Sequence, residues 1–145
     1  MNERSATVGR KTPWHVWVVG VLTLLWDGAG AYTIMMAQAG GLPDLTPDEA
    51  VYYAAQPLWF VVATDVALLG AIAAGVALLV RSRMAVGLFA VSLVAILVTN
   101  IYDLAAGASR ALVSQGALIV TAIIVVLAIL QLVYARAMQK RAVLT

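Results

Sequence analysis

The sequence predicts an all-α membrane protein, a four-transmembrane-helix bundle with a short extra helix in the outer loop between spans 1 and 2. Three observations predict it. Of 145 residues, 63% are hydrophobic and only 11% charged, and the mean hydropathy of +0.97 lies well outside the range of soluble domains. A helix needs about 20 mainly apolar residues to cross hydrocarbon, and the chain holds four such stretches with little left over. The period-2 alternation of barrel strands is missing, and lipid offers the backbone no hydrogen-bond partners outside a helix or a closed barrel. One integral membrane domain, residues 1–145, is therefore expected.

The first span is read at 14–36, where "HVWVVGVLTLLW" carries aliphatic and aromatic residues on every face. A cleaved signal peptide is the competing reading of its basic start and apolar centre, but apolar character resumes in "YTIMM", which favours a retained span. The outer loop, 37–56, concentrates glycine and proline. Within it "TPDE" is a helix start: Thr46 caps, Pro47 suits the first helical position, and Glu49 completes a capping box. A short surface helix over 47–55 follows, with Tyr52 and Tyr53 at headgroup level.

The second and third spans, 57–80 and 84–104, are joined by a connection so tight that they must be antiparallel neighbours. The fourth is read at 111–134, with tails at 1–13 and 135–145. Span two carries Ala63, Ala67, Gly70, Ala71, Ala74 and Gly75 at three- and four-residue spacings, which makes it the expected packing centre. The echo between "LVRSRM" and "LVYARAM" is not carried by the other polar positions and is read as chance.

Charge predicts orientation. Arg4, Arg10, Lys11, Arg81, Arg83, Arg136, Lys140 and Arg141 fall on one side and only Arg110 on the other, so both termini are expected in the cytoplasm. In a bacterium the outer side would then be periplasmic or extracellular. The net charge of +2 reports this edge clustering, and nucleic-acid binding is not expected.

An aspartate in "LLWDGAGAY" lies deep inside span one. Counted at 1.5 Å per residue, Asp27 and Asp65 come out about 12 to 14 Å below the outer edge on adjacent antiparallel helices. A charge at such depth is costly, so the two carboxylates are expected as neighbours facing the bundle interior. Trp26, Tyr32, Trp59 and Tyr102 share this outer half, and Asn100 lies on one face with Asp103 three residues on. An acidic, aromatic-walled pocket of this kind suits a proton, a cation or a small polar molecule. The plainer reading is that each Asp is protonated or bonded across helices. Asp103 is expected to pair with Arg110 or meet water, and His15 to lie at the inner boundary.

With one histidine and no cysteine, bis-histidine haem, iron–sulfur clusters and multi-ligand metal sites are not expected. No span holds a lysine for a Schiff base, and no phosphate-binding glycine motif or nucleophile–base pair occurs, so neither cofactor nor catalysis is predicted. Two readings remain: a protein binding or transporting a small polar molecule or cation through the outward pocket, and a non-catalytic accessory or scaffold subunit of a larger membrane complex. The partners that fit are membrane lipids, such a ligand, and a homo-oligomer or larger complex.

Across Trp14 to Met138, "LLWDGAGAY", "QPLW", "LLGAIAAGVALLVRSRMAVGLFAVSL" and "LVYARAM" resemble a group of small bacterial four-span membrane proteins, some labelled sugar transporters. Trp26 with a polar residue after it, Tyr32, Pro57 with Trp59, Gly70, Arg81, Arg83, Ala85 and Ser92 carry the resemblance. It implies the four-span fold and an inner-membrane location, but no particular activity. Asparagine usually follows that tryptophan in the group, so Asp27 departs from it.

Overall fold

The computed structural model describes residues 13–106 and 115–144. In chain order these form α1 (Trp14–Gln38), α2 (Pro47–Ala54), α3 (Leu58–Leu79), α4 (Met84–Ala106) and α5 (Gln115–Lys140). All but α2 are long and apolar enough to cross a membrane. The protein is thus a multi-pass helical membrane protein, with α2 between its first two spans.

Three helices end in the same way. In each, a residue in the left-handed region reverses the chain, so that the following amide bonds back to a carbonyl five residues earlier. After α1 the reversing residue is Gly40 (φ 67°) and Gly41 N donates to Met36 O at 2.8 Å. After α3 it is Arg81 (φ 59°), with Ser82 N donating to Ala77 O, and after α5 it is Ala142 (φ 54°), with Val143 N donating to Met138 O. Glycine adopts this backbone freely, whereas a side chain costs roughly 1 kcal/mol. At Arg81 the turn is followed at once by a new start, because Ser82 Oγ accepts from Met84 N at 3.2 Å and opens α4.

The reversal at Ala142 sets a difference from the predicted fourth span. Its end was expected at residue 134 with a basic tail beyond, but α5 runs to Lys140, and Val143 and Leu144 then fold back into the core. Leu132, Ala135 and Met138 form the buried stripe that carries the helix on, packed with Ala85 and Phe89 of α4 and Val16 of α1. Arg83 Nε donates to Leu144 O at 3.4 Å and pins this end. The predicted fourth-span start at Ala111 lies outside the described residues.

α3 packs against both α1 and α4, and α5 packs against α4. Ala67, Ala71, Ala74 and Gly75 of α3 are buried, as the small-residue spacing predicts. A Cβ on Gly75 would lie 2.9 Å from Leu24 Cδ2 and 3.2 Å from Thr23 Cγ2, so any larger residue there forces these α1 side chains to shift. On the α4 side, buried Ser92 donates from Oγ to Ala67 O at 2.7 Å.

Charge separates along the bundle axis. Arg81, Arg83, Arg136, Lys140 and Arg141 lie at the end where α3 turns into α4 and α5 stops, whereas Asp44, Asp48 and Glu49 lie at the opposite end beside α2. Replacing Gly75 by Val should destabilise the bundle by about 1–3 kcal/mol through overpacking. A Cβ on Gly28 meets nothing within 4 Å, so Gly28→Ala should be neutral or stabilising by about 0.5–1 kcal/mol. Unfolding midpoints of the two variants in one detergent check the contrast.

Candidate functional site

At the α2 end a cavity of about 190 Å³ opens between α1, α2, α3 and α4, with Ile124 of α5 also on its wall. That is the space of roughly six waters at about 30 Å³ each. Its position follows from the loop chemistry. Thr46 starts α2 with a reciprocal box: Glu49 N donates to Thr46 Oγ1 at 3.3 Å, and Thr46 N donates to Glu49 Oε2 at 2.8 Å. The Thr46 hydroxyl also donates to Glu49 Oε2 at 2.7 Å, and this bond, followed by that from Thr46 N, holds the Glu49 carboxyl below its usual range. With its start fixed, the eight-residue helix presents Tyr52 and Tyr53 to the mouth of the bundle.

The Tyr52 hydroxyl lies 3.0 Å from each oxygen of Asp103 and donates across the fork. Burial, and then the Asp103 charge beside it, push the Tyr52 hydroxyl far above its usual range, so it remains a donor at any physiological pH. Tyr53 is raised in the same direction by burial and by Glu49 and Asp103. Tyr52 and Asp103 thus latch α2 onto α4.

Three other lining residues carry buried polar atoms with no hydrogen-bond partner: Gln38 Nε2, Gln56 Oε1 and Thr64 Oγ1. They come from the end of α1, the residue after α2's close and the second turn of α3. An unmet buried polar group costs about 1–3 kcal/mol, and all three belong to residues that line this one space. They comprise an amide donor, an amide acceptor and a hydroxyl that is both. Asp103 is the one carboxylate among the described lining residues.

The residues singled out from the sequence are distributed among several places. Asn100 lines the cavity, with its Nδ2 donating back to Ile96 O at 2.7 Å. Trp59 and Tyr102 stack edge to face at 4.7 Å, and both meet the ring of Phe60, which lines the cavity. They therefore form a second layer behind its wall. Tyr32 is 66% exposed and faces away from the bundle. Trp26 lines a different space, a groove between α1 and α5.

Asp27 accepts from Gln131 Nε2 of α5, at 3.2 and 3.4 Å to its two oxygens. Asp65 Oδ1 is buried without a hydrogen-bond partner. Among the described residues no hydrogen bond joins the two carboxylates, and neither lines the cavity. Arg110, the expected partner of Asp103, lies outside the described residues, and Tyr52 takes a place beside Asp103 that the sequence reading did not anticipate. His15, expected as an interfacial residue, bonds through Nδ1 to the Tyr134 hydroxyl at 2.6 Å.

Gln38, Gln56, Thr64, Tyr52 and Asp103 were not picked out as site residues. Amides and tyrosines at span ends ordinarily meet headgroups, and only the placement of α2 over the bundle turns them inward. The available signal was Asp103 on one helical face with Asn100 and Thr99. No protein family, curated protein or solved structure matches this chain.

Tyr52→Phe removes the latch, and a hydrogen bond to a charged acceptor is worth about 1.5–3 kcal/mol. Amide exchange over residues 47–54 should accelerate by about tenfold or more while that of α3 stays unchanged. The Glu49 carboxyl is lowered in the folded state, so its contribution is present above the ordinary value of 4.5 and lost as pH falls through the lowered one. Protection of α2 amides should accordingly drop on acidification below that value, and Glu49→Gln should remove the dependence.

Proposed function

We propose that this chain is a binding protein of a bacterial inner membrane, holding a small polar molecule in the cavity beneath α2. The observation that carries this reading is that Gln38, Gln56 and Thr64, each with a buried polar atom that has no protein partner, all line one cavity. A guest that both donates and accepts satisfies all three. The Asp103 carboxylate and the faces of Tyr52 and Tyr53 extend the choice to guests with a hydroxyl or ammonium group. At about 190 Å³ the space admits a small polyol, amide or amine and excludes a large one.

Both termini are assigned to the cytoplasm, because the basic residues gather at the end opposite α2. The cavity then faces outward, and α2 covers its mouth as the element that must yield for a guest to pass. A natural sequence without cysteine makes the orientation easy to test. A cysteine at Asp44 should react with an impermeant maleimide in intact cells, and one at Gln139 only after permeabilisation; the reverse pattern overturns the assignment.

Binding is tested by thermal unfolding of the purified protein against small polyols, amides and primary amines. A guest at a hundredfold excess over its Kd should stabilise by about 2.7 kcal/mol. Thr64→Val, which keeps the shape and removes the hydroxyl, should weaken that guest by about fivefold, the value of one neutral hydrogen bond. If no compound stabilises the protein, or if Thr64→Val leaves every effect intact, the cavity is not the binding site.

A further inference from the structure

A second space, unrelated to the polar cavity, lies between α1 and α5. These helices do not pack backbone to backbone as the other neighbours do. Two polar bridges span the gap instead, His15 Nδ1 to the Tyr134 hydroxyl and Gln131 Nε2 to Asp27. Between and beside them runs a groove of about 680 Å³, walled by Val19 and Leu22 of α1 and by Leu127, Leu130, Val133 and Ala137 of α5. It is open along its side, where a spanning helix meets lipid.

We infer that this groove is a site for one anionic phospholipid, an acyl chain lying between α1 and α5 and the phosphate headgroup meeting Lys140 and Arg141. Length supports an acyl chain. From Leu127 to Ala137 the groove wall runs ten residues, about 15 Å at the helical rise, which is one leaflet of a hydrocarbon core about 30 Å thick.

Surface chemistry points the same way. Helices associate in lipid through small residues that let backbones approach, and the small faces of α3 are already covered by α1 and α4. The groove walls are large branched aliphatics, with Ala137 the one small residue among the six named.

Charge selects the headgroup. Lys140 and Arg141 follow Ala137 by three and four residues, about 4.5–6 Å further along the axis, at the basic end of the bundle. Both are exposed there. Basic side chains below a space between spanning helices are suited to anionic headgroups. A zwitterionic lipid has the same chains but carries no net charge for them to hold.

Trp26 lines the groove and serves as the reporter. In protein whose Trp14, Trp17 and Trp59 are replaced by Phe, reconstituted in phosphatidylcholine vesicles, dibrominated phosphatidylglycerol should quench Trp26 at a lower mole fraction than dibrominated phosphatidylcholine. Two basic side chains near the surface predict a preference of roughly thirtyfold, and K140Q/R141Q should abolish it. Because the triple tryptophan variant can fail to fold, wild-type protein from mixed phosphatidylglycerol–phosphatidylcholine vesicles is examined in parallel by native mass spectrometry, where retained phosphatidylglycerol is expected. Equal quenching by the two lipids, or a preference that survives K140Q/R141Q, overturns the site. So does loss of quenching with protein density as cross-linked dimers accumulate, which would place a second copy in the groove.

Discussion

The bundle depends on the close approach that α3 allows on two sides. Within lipid there is no water to drive apolar faces together, so helices hold each other through close contact and side-chain hydrogen bonds. Gly75 brings Leu24 and Thr23 of α1 against one side of α3, and the Ser92 hydroxyl reaches the Ala67 carbonyl on another. Among the described residues α5 packs chiefly on α4, and it meets Val16 of α1 at the basic end. The gap between α1 and α5 is therefore a consequence of where the small residues are, and the two polar bridges across it hold helices that packing alone does not join.

The same arrangement explains why polarity is concentrated at the α2 end. The continuous apolar core, from Val16 to Leu144, occupies the basic end of the bundle. Toward α2 amides, hydroxyls and tyrosines join the apolar side chains of Ile34, Phe60, Leu68 and Ile96, and the helices enclose a space rather than filling it. The capping box of Thr46 and Glu49 then acts at a distance, since it fixes where α2 begins and so where Tyr52 meets Asp103. A local backbone motif and a contact 51 residues apart in sequence are parts of one device.

Most of the fold was legible in the sequence because lipid imposes simple rules. Hydrophobic length located α1, α3 and α4 to within two residues, and "TPDE" located α2. The end of α5 was misjudged because hydropathy drops at Arg136. What carries the helix on is burial of Ala135 and Met138, and burial depends on partners that one segment does not reveal. The site was less legible for the same reason. Depth along a helix is countable, which made Asp27 and Asp65 look like partners, but rotation about the axis is set by packing. Asp27 bonds to Gln131 on α5, a helix that depth matching between adjacent spans did not consider. Asn100 was found because its face could be read from Asp103; Gln38 and Gln56 needed the tertiary placement of α2.

The turn at Ala142 bears on how the protein is made. Leu144 is fully buried, and together with Val143 it plugs a core otherwise built from α1, α3, α4 and α5. The spans emerge from the ribosome one after another, and none of the earlier ones can finish that core alone. Completion of the packing must wait until residue 144 has cleared the ribosomal tunnel, so the helices made before it cannot close this core as they emerge.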